Sequence, residues 1–385
     1  MTNLGFDLRG LQDGFKAHKK RGIGVYIRSL ARRMNLAPAG LELFPFYDPA
    51  YEAEEPLALG AEAYDTSWVA PLKPLMHQYV WQHFAFRPVI SEARTRRDLA
   101  GFYFPSHLDA PAGMGAPYAV TAHDLIQAAM GDMYNSLKHR VHVVKQLSAL
   151  KGARAVIAIS HHTKADVIKY AGVDPERITV AHLGAGPEFH PGAEADLSRF
   201  NLPERFVLNV GGIDRRKNMN LLFAAFTKLL DKKPDFHLIM TGAIEEDPLF
   251  LEFSRDLEKR SLGSRVRALG YVSAMELAAL YTRAEVFFYP SLYEGFGLPV
   301  LEAMACGAPV ITTDRSSLPE VAGEGALTLD PGKPELFSSA LIRLAESGEE
   351  RAALKEKGLA QAGKFSWDKH AMAVWEALET AFGQG

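Results

Sequence analysis

The sequence predicts an α/β protein made of two doubly wound domains, each with a parallel sheet covered by helices. Short apolar runs rich in Val and Ile alternate with longer stretches of helical period, and this pattern occurs twice in 385 residues. Between the two halves, the Gly/Pro-rich stretch 184–192 has no periodicity and is typical of a linker. We therefore expect domains at 1–190 and 191–385, facing each other across a cleft.

The first domain begins with strand-like residues 4–6, and three later apolar runs predict buried strands at 119–122, 155–159 and 178–181. Residues 66–118 are harder to assign because aromatic side chains, histidines and prolines crowd there. Such a segment is either a structural aromatic cluster or an acceptor-binding insertion, since aromatic faces stack on sugar rings or acyl chains. On the second alternative, Trp81 and His83 are candidate acceptor-binding residues.

The second domain repeats the alternation of strands and helices. Apolar runs predict strands at 206–210, 236–240, 286–289 and 309–312. Amphipathic stretches predict helices at 220–230 and 248–260. In doubly wound sheets ligands bind at the carboxyl ends of the strands, so the chemistry is expected in the loops that follow these runs.

Composition excludes several classes of protein. The hydrophobic fraction of 48% and the charged fraction of 23% are those of an ordinary globular chain. Cys306 is the one cysteine, so an intrachain disulfide and a Cys-based metal cluster are both excluded. No run approaches the roughly 20 apolar residues of a membrane span, and the N-terminus does not resemble a signal peptide. We expect a cytoplasmic protein.

Charge is divided unevenly along the chain. The total is −3, but residues 1–190 carry 21 basic and 18 acidic side chains, whereas the remainder carries 22 and 28. A basic stretch at 16–33 is either a solvated face or a surface for anionic lipid or a phosphorylated substrate. No nucleic-acid recognition motif accompanies it, so we expect no nucleic-acid partner.

A glycine-bearing loop follows the apolar run that ends at Pro290 and leads into a helix opened near Pro299. Gly295 and Gly297 allow backbone amides to approach a ligand closely. The helix N-terminus behind them can hold a phosphate through its free N–H groups and its dipole. This segment therefore predicts an anion site at the carboxyl end of a strand.

Two carboxylates, Glu294 and Glu302, flank that loop eight residues apart. The acid and base of a glycosidase stand about 5 to 9.5 Å apart across one bond. Here one residue lies in the loop and the other about one turn into the helix, and the helical rise of about 1.5 Å per residue separates them further. The spacing favours a site in which each carboxylate binds one end of a long ligand. The alternative is that both carboxylates only cap the helix or face solvent.

Three consecutive cations follow the strand at 206–210, after a pair of glycines. Gly211 and Gly212 turn the chain, and Arg215, Arg216 and Lys217 precede the next helix. Such charges can neutralise a leaving diphosphate, on which negative charge grows as its bond breaks. The alternative is an ordinary solvated basic run.

Two weaker signals lie in the first domain. His123, beside Asp124, ends a strand and could orient a hydroxyl or share a proton, although a lone histidine is more often structural. Gly22 and Gly24 precede a helical pattern and could line the same cleft from the opposite side. The phosphate loop of NTPases, the Gly-x-Gly-x-x-Gly fingerprint after the first strand and the metal-holding Asp-x-Asp pair are all absent from the sequence.

The motifs described above resemble those of a known family. The stretch from Glu294 to Glu302 is similar to the E-x7-E motif of retaining glycosyltransferases of the GT-B fold, and the chain resembles glycosyltransferase family 4 (group 1) over nearly its whole length. Further matching segments are 22–24, 123–124, 159–163, 211–218, 269–272 and the Trp367-bearing C-terminal helix. The resemblance implies two Rossmann-like domains, with a helix at about 366–383 that returns to the first of them.

The resemblance also implies roles for individual residues. Arg216 and Lys217 would bind the donor diphosphate, with Arg215 as an alternative to Arg216, because Gly212 stands where some members have arginine. The other positions on the donor side are Gly22, Gly24 and Gly212, and His123 near the sugar. Glu294 and the amides of Phe296, Gly297 and Leu298 would hold sugar and phosphate, Glu302 the ribose, and Val272 the base.

The implied reaction is transfer of a sugar from a nucleotide donor to an acceptor hydroxyl with retention at the anomeric carbon. The expected donor is GDP-mannose, and the expected acceptor is a saccharide or lipid-linked molecule at the inner face of a membrane. Neither metal nor cofactor is expected, because the cations supply the stabilisation of the leaving group. The alternatives are a non-catalytic sugar-nucleotide-binding scaffold and a sugar-nucleotide epimerase or phosphorylase of the same fold.

Overall fold

The computed structural model describes residues 1–13, 15, 22–48, 51–63, 98–110, 115–131, 137–242, 244 and 247–383. The chain divides into two compact units. The first comprises Met1–His182 together with Trp367–Gly385, and the second comprises Leu183–Ser366. The division therefore lies between His182 and Leu183, whereas the sequence predicted it near residue 190, and the C-terminal helix belongs to the first unit.

The first unit is built on a seven-stranded parallel sheet with the order β3-β2-β1-β4-β5-β6-β7. Its strands are β1 Thr2–Asp7, β2 Leu41–Tyr47, β3 Glu62–Ala63, β4 Gly101–Phe104, β5 Tyr118–Ala122, β6 Ala155–Ala158 and β7 Ile178–Val180. The strand order reverses between β1 and β4. The carboxyl ends of these two strands are thus the expected place for a ligand in this unit.

Helices connect the strands of the first unit. They are α1 Gly22–Ala31, α2 Glu54–Ala58, α3 Ile126–Ala129, α4 Leu137–Gly152 and α5 His161–Asp166, with a π-helical turn at Val167–Ala171 and short 3₁₀ turns at Arg9–Leu11, Met34–Leu36 and Pro175–Arg177. Ser160 caps α5, since its side chain accepts a hydrogen bond from the backbone N–H of Thr163 at 2.9 Å.

The second unit is built on a six-stranded parallel sheet with the order β10-β9-β8-β11-β12-β13. Its strands are β8 Phe206–Val210, β9 His237–Thr241, β10 Val266–Ala268, β11 Val286–Tyr289, β12 Val310–Thr313 and β13 Leu327–Leu329. From β8 the chain moves outward to β9 and β10 and then returns to the other side at β11. The switch point between β8 and β11 is where a doubly wound sheet binds its ligand.

The helices of the second unit follow the same alternation. They are α6 Met219–Leu230, α7 Phe250–Lys259, α8 Ala274–Arg283, α9 Leu298–Ala305, α10 Leu318–Ala322, α11 Pro334–Glu346 and α12 Gly348–Ala362, with 3₁₀ turns at Ser198–Phe200 and Arg215–Lys217. A capping box starts α8, where the Ser273 side chain and the Glu276 side chain each bond the other's backbone N–H.

The last helix, α13 Trp367–Phe382, packs into the first unit. Its apolar face is buried, and the ring of Trp375 stands edge-on to Phe6 of β1 at 5.6 Å between centroids. The indole Nε1 donates a hydrogen bond to the backbone oxygen of Arg33 at 3.0 Å. Burial of the apolar face and this hydrogen bond both hold the C-terminal helix in the first unit.

The predicted fold class, two doubly wound parallel-sheet units, is confirmed. Strands β8 and β11 begin and end where the apolar runs predicted them, and the other predicted strands shift by one or two residues. Part of the ambiguous segment 66–118 is β4, whose residues are fully buried strand residues. Among the described residues, no helix is long and apolar enough to span a bilayer.

Candidate active site

The turn after β8 carries the basic cluster. Gly211 and Gly212 have φ of 107° and 78°, in the left-handed region that favours glycine. Asp214 then caps the 3₁₀ turn, accepting a hydrogen bond from the backbone N–H of Arg216 at 3.0 Å. A Cβ on Gly211 would lie 3.1 Å from Nζ of Lys217, so the glycine also makes room for this lysine. The local sequence therefore holds Arg216 and Lys217 at the carboxyl end of β8.

The loop after β11 carries the carboxylate. The backbone N–H of Glu294 donates to Oγ of Ser316 at 2.9 Å, and the Ser317 hydroxyl donates to the backbone oxygens of Glu294 and Phe296 at 2.9 and 2.8 Å. Gly297 has φ of 107°, and a Cβ there would meet the Leu318 side chain at 2.9 Å. Hydrogen bonds with the segment after β12 thus fix the loop, which leads directly into α9.

One oxygen of Glu294 joins these two loops. Oε1 accepts hydrogen bonds from Nη1 of Arg216 at 2.6 Å, from Nζ of Lys217 at 2.8 Å, from Oγ of Ser291 at 2.6 Å and from the hydroxyl of Tyr289 at 2.8 Å. We call these five residues the Glu294 cluster. Its two cations and its carboxylate lie together at the switch point of the second sheet.

The charges of the cluster stabilise one another. Burial alone would raise the pKa of Glu294, but the positive charges of Lys217 and Arg216 and the hydrogen bonds from Lys217 and Ser291 lower it from 4.5 to about 2. Burial lowers the pKa of Lys217, and the charge of Glu294 opposes that shift. The side chains of Lys217 and Glu294 are only 6% and 12% exposed. Glu294 is therefore a buried carboxylate that stays ionised at neutral pH and is a poor proton acceptor.

Glu302 has the opposite electrostatic character. It lies in α9, and Oε2 accepts a long hydrogen bond of 3.5 Å from the Tyr281 hydroxyl of α8. Burial, together with the nearby charge of Glu188, raises the pKa of Glu302 from 4.5 to about 8, against the smaller effect of the Tyr281 hydrogen bond. At neutral pH the two carboxyls of the motif thus differ in protonation, which suits two different binding tasks.

In the first unit, His123 lies beside a buried network of hydroxyl groups. Nε2 of His123 lies 2.8 Å from the backbone oxygen of Pro105, and since a carbonyl only accepts, Nε2 carries the hydrogen. The His123 ring stands edge-on to Tyr26 at 4.7 Å, and the Tyr26 hydroxyl lies 2.8 Å from Oγ1 of Thr121. Gly24 is buried in α1, whereas Gly22 is exposed at its first position with nothing within 4 Å of a Cβ.

Arg215 is separated from the cluster. It is exposed and lines a pocket of about 550 Å³ together with residues of α6 and α7, such as Phe223 and Phe253. The structure therefore brings Arg216, and not Arg215, together with Lys217 and Glu294. Val272 is partly buried in the loop before α8. Trp81 and His83 lie outside the described residues.

Three members of this neighbourhood were not singled out from the sequence. They are Tyr289, Ser291 and Tyr281. A detectable signal existed only for the first two, because a phenol ends an otherwise apolar strand and a serine follows it at the carboxyl end, where ligands bind. Tyr281 lies within a helix, and its hydroxyl reaches Glu302 only through the packing of α8 against α9.

Two units that are each built on a parallel doubly wound sheet, one of them with a cluster of charged side chains at its switch point, have the architecture of a GT-B protein. The family model "Glycosyl transferases group 1" matches residues 194–361, and the model "Glycosyltransferase Family 4" matches residues 20–189. The chain belongs to glycosyltransferase family 4 (group 1), and it is a glycosyltransferase. The resemblance that the motifs carried is confirmed.

Named relatives are similar to this chain over most of its length. O-antigen chain mannosyltransferase B of Escherichia coli is 30% identical over 275 residues, which is 69% of each chain. Serotype-specific mannosyltransferase WbdA of Escherichia coli is 32% identical over 257 residues, which is 64% of this chain but only 31% of WbdA. The solved structure of sucrose-phosphate synthase from Thermosynechococcus elongatus covers 100% of both chains with a TM-score of 0.76 and 21% identity, a likeness in fold alone.

Proposed function

We propose that the protein transfers mannose from GDP-mannose to a saccharide or lipid-linked acceptor in polysaccharide biosynthesis, with retention at the anomeric carbon. The Glu294 cluster is the single observation that carries the enzymatic part of this proposal. It contains one buried cation, Lys217, and one partly buried cation, Arg216, at the strand ends where a doubly wound sheet binds its ligand. The choice of mannose is supported by the two E. coli relatives, which are named mannosyltransferases.

Arg216 and Lys217 are proposed to hold the donor diphosphate. Both cations contact one carboxylate oxygen, so an incoming diphosphate finds positive charge already gathered in a partly dry site. As the bond from the anomeric carbon to the phosphate oxygen breaks, negative charge grows on the diphosphate and these cations stabilise it. With that charge supplied by the protein, we expect no metal ion to be required.

The acceptor proton is proposed to go to the leaving phosphate. The acceptor oxygen forms its bond to the anomeric carbon on the face that the diphosphate leaves, and an oxygen of that diphosphate takes the hydroxyl proton. The low pKa of Glu294, about 2, supports this assignment, because such a carboxylate is a weak base at neutral pH. Glu294 then serves to orient the donor sugar and the two cations.

The rest of the donor is proposed to lie along α9 and the neighbouring loop. Glu302, backed by Tyr281, would hold the ribose hydroxyls, and the amides of Phe296, Gly297 and Leu298 would meet the phosphate. The backbone of Val272 would contact the base. His123, whose Nε2 donates to the backbone oxygen of Pro105, would lie near the donor sugar. Gly22 and Gly24 would approach the diphosphate from α1.

Contact with a membrane surface is proposed for α4. The exposed side chains of Leu137, Val141 and Val144 follow one another at spacings of four and three, so they share one face of the helix. The helix sequence contains four lysines or arginines and no acidic residue. An apolar stripe among basic residues complements an anionic lipid surface, which would bring a lipid-linked acceptor close to the enzyme.

The test is a transfer assay with the full chain. GDP-mannose and matched UDP-, ADP- and TDP-sugars are supplied with mannose-terminated saccharides, and free nucleotide diphosphate and the product are measured. The anomeric configuration of the product is read by NMR. Release of GDP with formation of an α-linked product supports the proposal. Nucleotide binding without turnover would support the scaffold alternative, and isomerised donor without acceptor would support an epimerase.

A further inference from the structure

We propose that Tyr289 is a positioning residue, which keeps the Lys217 ammonium beside the Glu294 carboxylate while the donor diphosphate is bound to Arg216 and Lys217. This inference rests on the proposed transferase function. The Tyr289 hydroxyl accepts a hydrogen bond from Nζ of Lys217 and donates one to Oε1 of Glu294 at 2.8 Å. Nζ also lies 4.5 Å from the centre of the Tyr289 ring. One side chain thus contacts both members of the ion pair.

The phenol is held firmly by the core of the second unit. Tyr289 is the last residue of β11, and its ring stacks on that of Phe287 at 5.6 Å between centroids. Its backbone oxygen accepts a hydrogen bond from Oγ1 of Thr312 in β12 at 2.8 Å. The position of the hydroxyl is therefore set by the sheet, whereas Lys217 and Glu294 reach it from two loops.

The hydrogens that Lys217 and Tyr289 can donate show how the cluster can bind a diphosphate and still hold Glu294. A lysine ammonium has three hydrogens, and within the described residues those of Lys217 meet two acceptors, Tyr289 and Glu294. The third remains for an oxygen of the diphosphate. The phenol has one hydrogen, which goes to Glu294. When the diphosphate draws Arg216 and Lys217 toward itself, Tyr289 and Ser291 are the neutral donors that keep Oε1 in place.

The charged and titratable groups that face Lys217 influence its pKa. They are Glu294, Arg216 and Asp214, together with Tyr289, whose own pKa burial raises well above its usual value. Removing the phenol oxygen takes away one acceptor from an ammonium that burial already disfavours. The pKa of Lys217 should then fall further, and less of the protein would carry the charge that stabilises the leaving diphosphate.

The test compares Tyr289→Phe with the wild-type protein. We expect kcat to fall about tenfold or more, with a smaller change in the KM for the donor, and the alkaline limb of the kcat profile to move to lower pH. Tyr118→Phe is the matched control, since the Tyr118 hydroxyl in the first unit also makes a buried hydrogen bond, 2.8 Å to Ala149. That variant should leave the alkaline limb where it is.

A second readout does not depend on turnover. The titration of Lys217 is followed by NMR of ¹³Cε-labelled lysine, with its signal assigned from Lys217→Met. A lower pKa in Tyr289→Phe supports positioning, and an unchanged one overturns it whether or not transfer is detected. Wild-type protein that transfers no sugar would instead count against the proposed function. If Tyr289→Phe does not fold, 3-fluorotyrosine at position 289 keeps the shape and weakens the acceptor, and the same shift is expected.

Discussion

Nζ of Lys217 lies 2.8 Å from Oε1 of Glu294, although 77 positions separate the two residues along the chain. They meet because β8 and β11 are parallel neighbours, paired through Val207 with Val286 and Leu208 with Phe287. Both strands point their carboxyl ends to the same edge of the sheet, so the loops that follow them converge. The ion pair is thus a product of the strand order, and it places the charge on which the proposed chemistry depends.

Removal of the buried cation should impair turnover more than donor binding. We expect Lys217→Ala to lower kcat about 100-fold, with a much smaller rise in the donor KM, because the diphosphate gains charge in the transition state. Steady-state kinetics with saturating acceptor measure both constants. Lys228→Ala is the control, since that lysine is exposed in α6, 3.6 Å from Asp231. A raised KM with unchanged kcat would show that Lys217 contributes only ground-state binding.

Stability at acidic pH should depend on Glu294. Its pKa is about 2 in the folded protein against 4.5 ordinarily, so its contribution is present above pH 4.5 and is lost as pH falls toward 2. The shift corresponds to at most about 3 kcal/mol. We expect Glu294→Gln to be less stable than wild type at pH 6 in urea unfolding, by a margin that shrinks toward pH 3. Glu258→Gln, an exposed carboxylate of α7, is the control, and a margin independent of pH would contradict the ion pair.

Glu302 should affect stability in the opposite direction. Its pKa is raised from 4.5 to about 8, so the folded protein keeps a proton that the unfolded chain loses, and stability falls as pH rises through this window. Glu302→Gln removes that cost while retaining the shape of the side chain. Its free energy of unfolding should exceed that of wild type by a margin that grows from pH 5 to pH 8. Parallel stability curves for the two proteins would show that Glu302 is not held protonated.

The convergence of loops at the second sheet could be predicted because its causes are local. Lys217 and Glu294 each follow a strong apolar run, and glycines mark the turns. The choice between Arg215 and Arg216 could not be made, because it depends on which side of a 3₁₀ turn faces Glu294 and which faces α7.

The two edge strands of the second sheet were not predicted from the sequence. β10 and β13 have three residues each, Val-Arg-Ala and Leu-Thr-Leu, too short for a pattern to be distinguished from a loop. For the site, the sequence shows Tyr289 only as a phenol that ends an apolar strand, a signal that does not name its partners. Its contacts to two loops arise only from the tertiary fold.

Nucleotide binding should weaken when the proposed ribose ligand is removed. We expect Glu302→Ala to lower the affinity for free GDP about tenfold, since the bound ribose hydroxyls would lose a buried hydrogen-bond partner, a loss that costs about 1 to 3 kcal/mol. Isothermal titration calorimetry measures the affinity, and Glu324→Ala, an exposed acid just after α10, is the control. The same affinity in Glu302→Ala and wild type would remove Glu302 from the nucleotide site.

Membrane contact through α4 should depend on both its apolar stripe and its charge. Val141 and Val144 are 55% and 68% exposed, so two aspartates at these positions cost the folded protein little but oppose both burial in lipid and attraction to it. We expect wild-type protein to sediment with vesicles that contain phosphatidylglycerol, less so at high salt, and the double variant to remain in the supernatant. Leu251→Asp controls for a new charge at an equally exposed apolar position, 68% exposed in α7. Equal sedimentation of the double variant and wild type would place the membrane contact elsewhere on the chain.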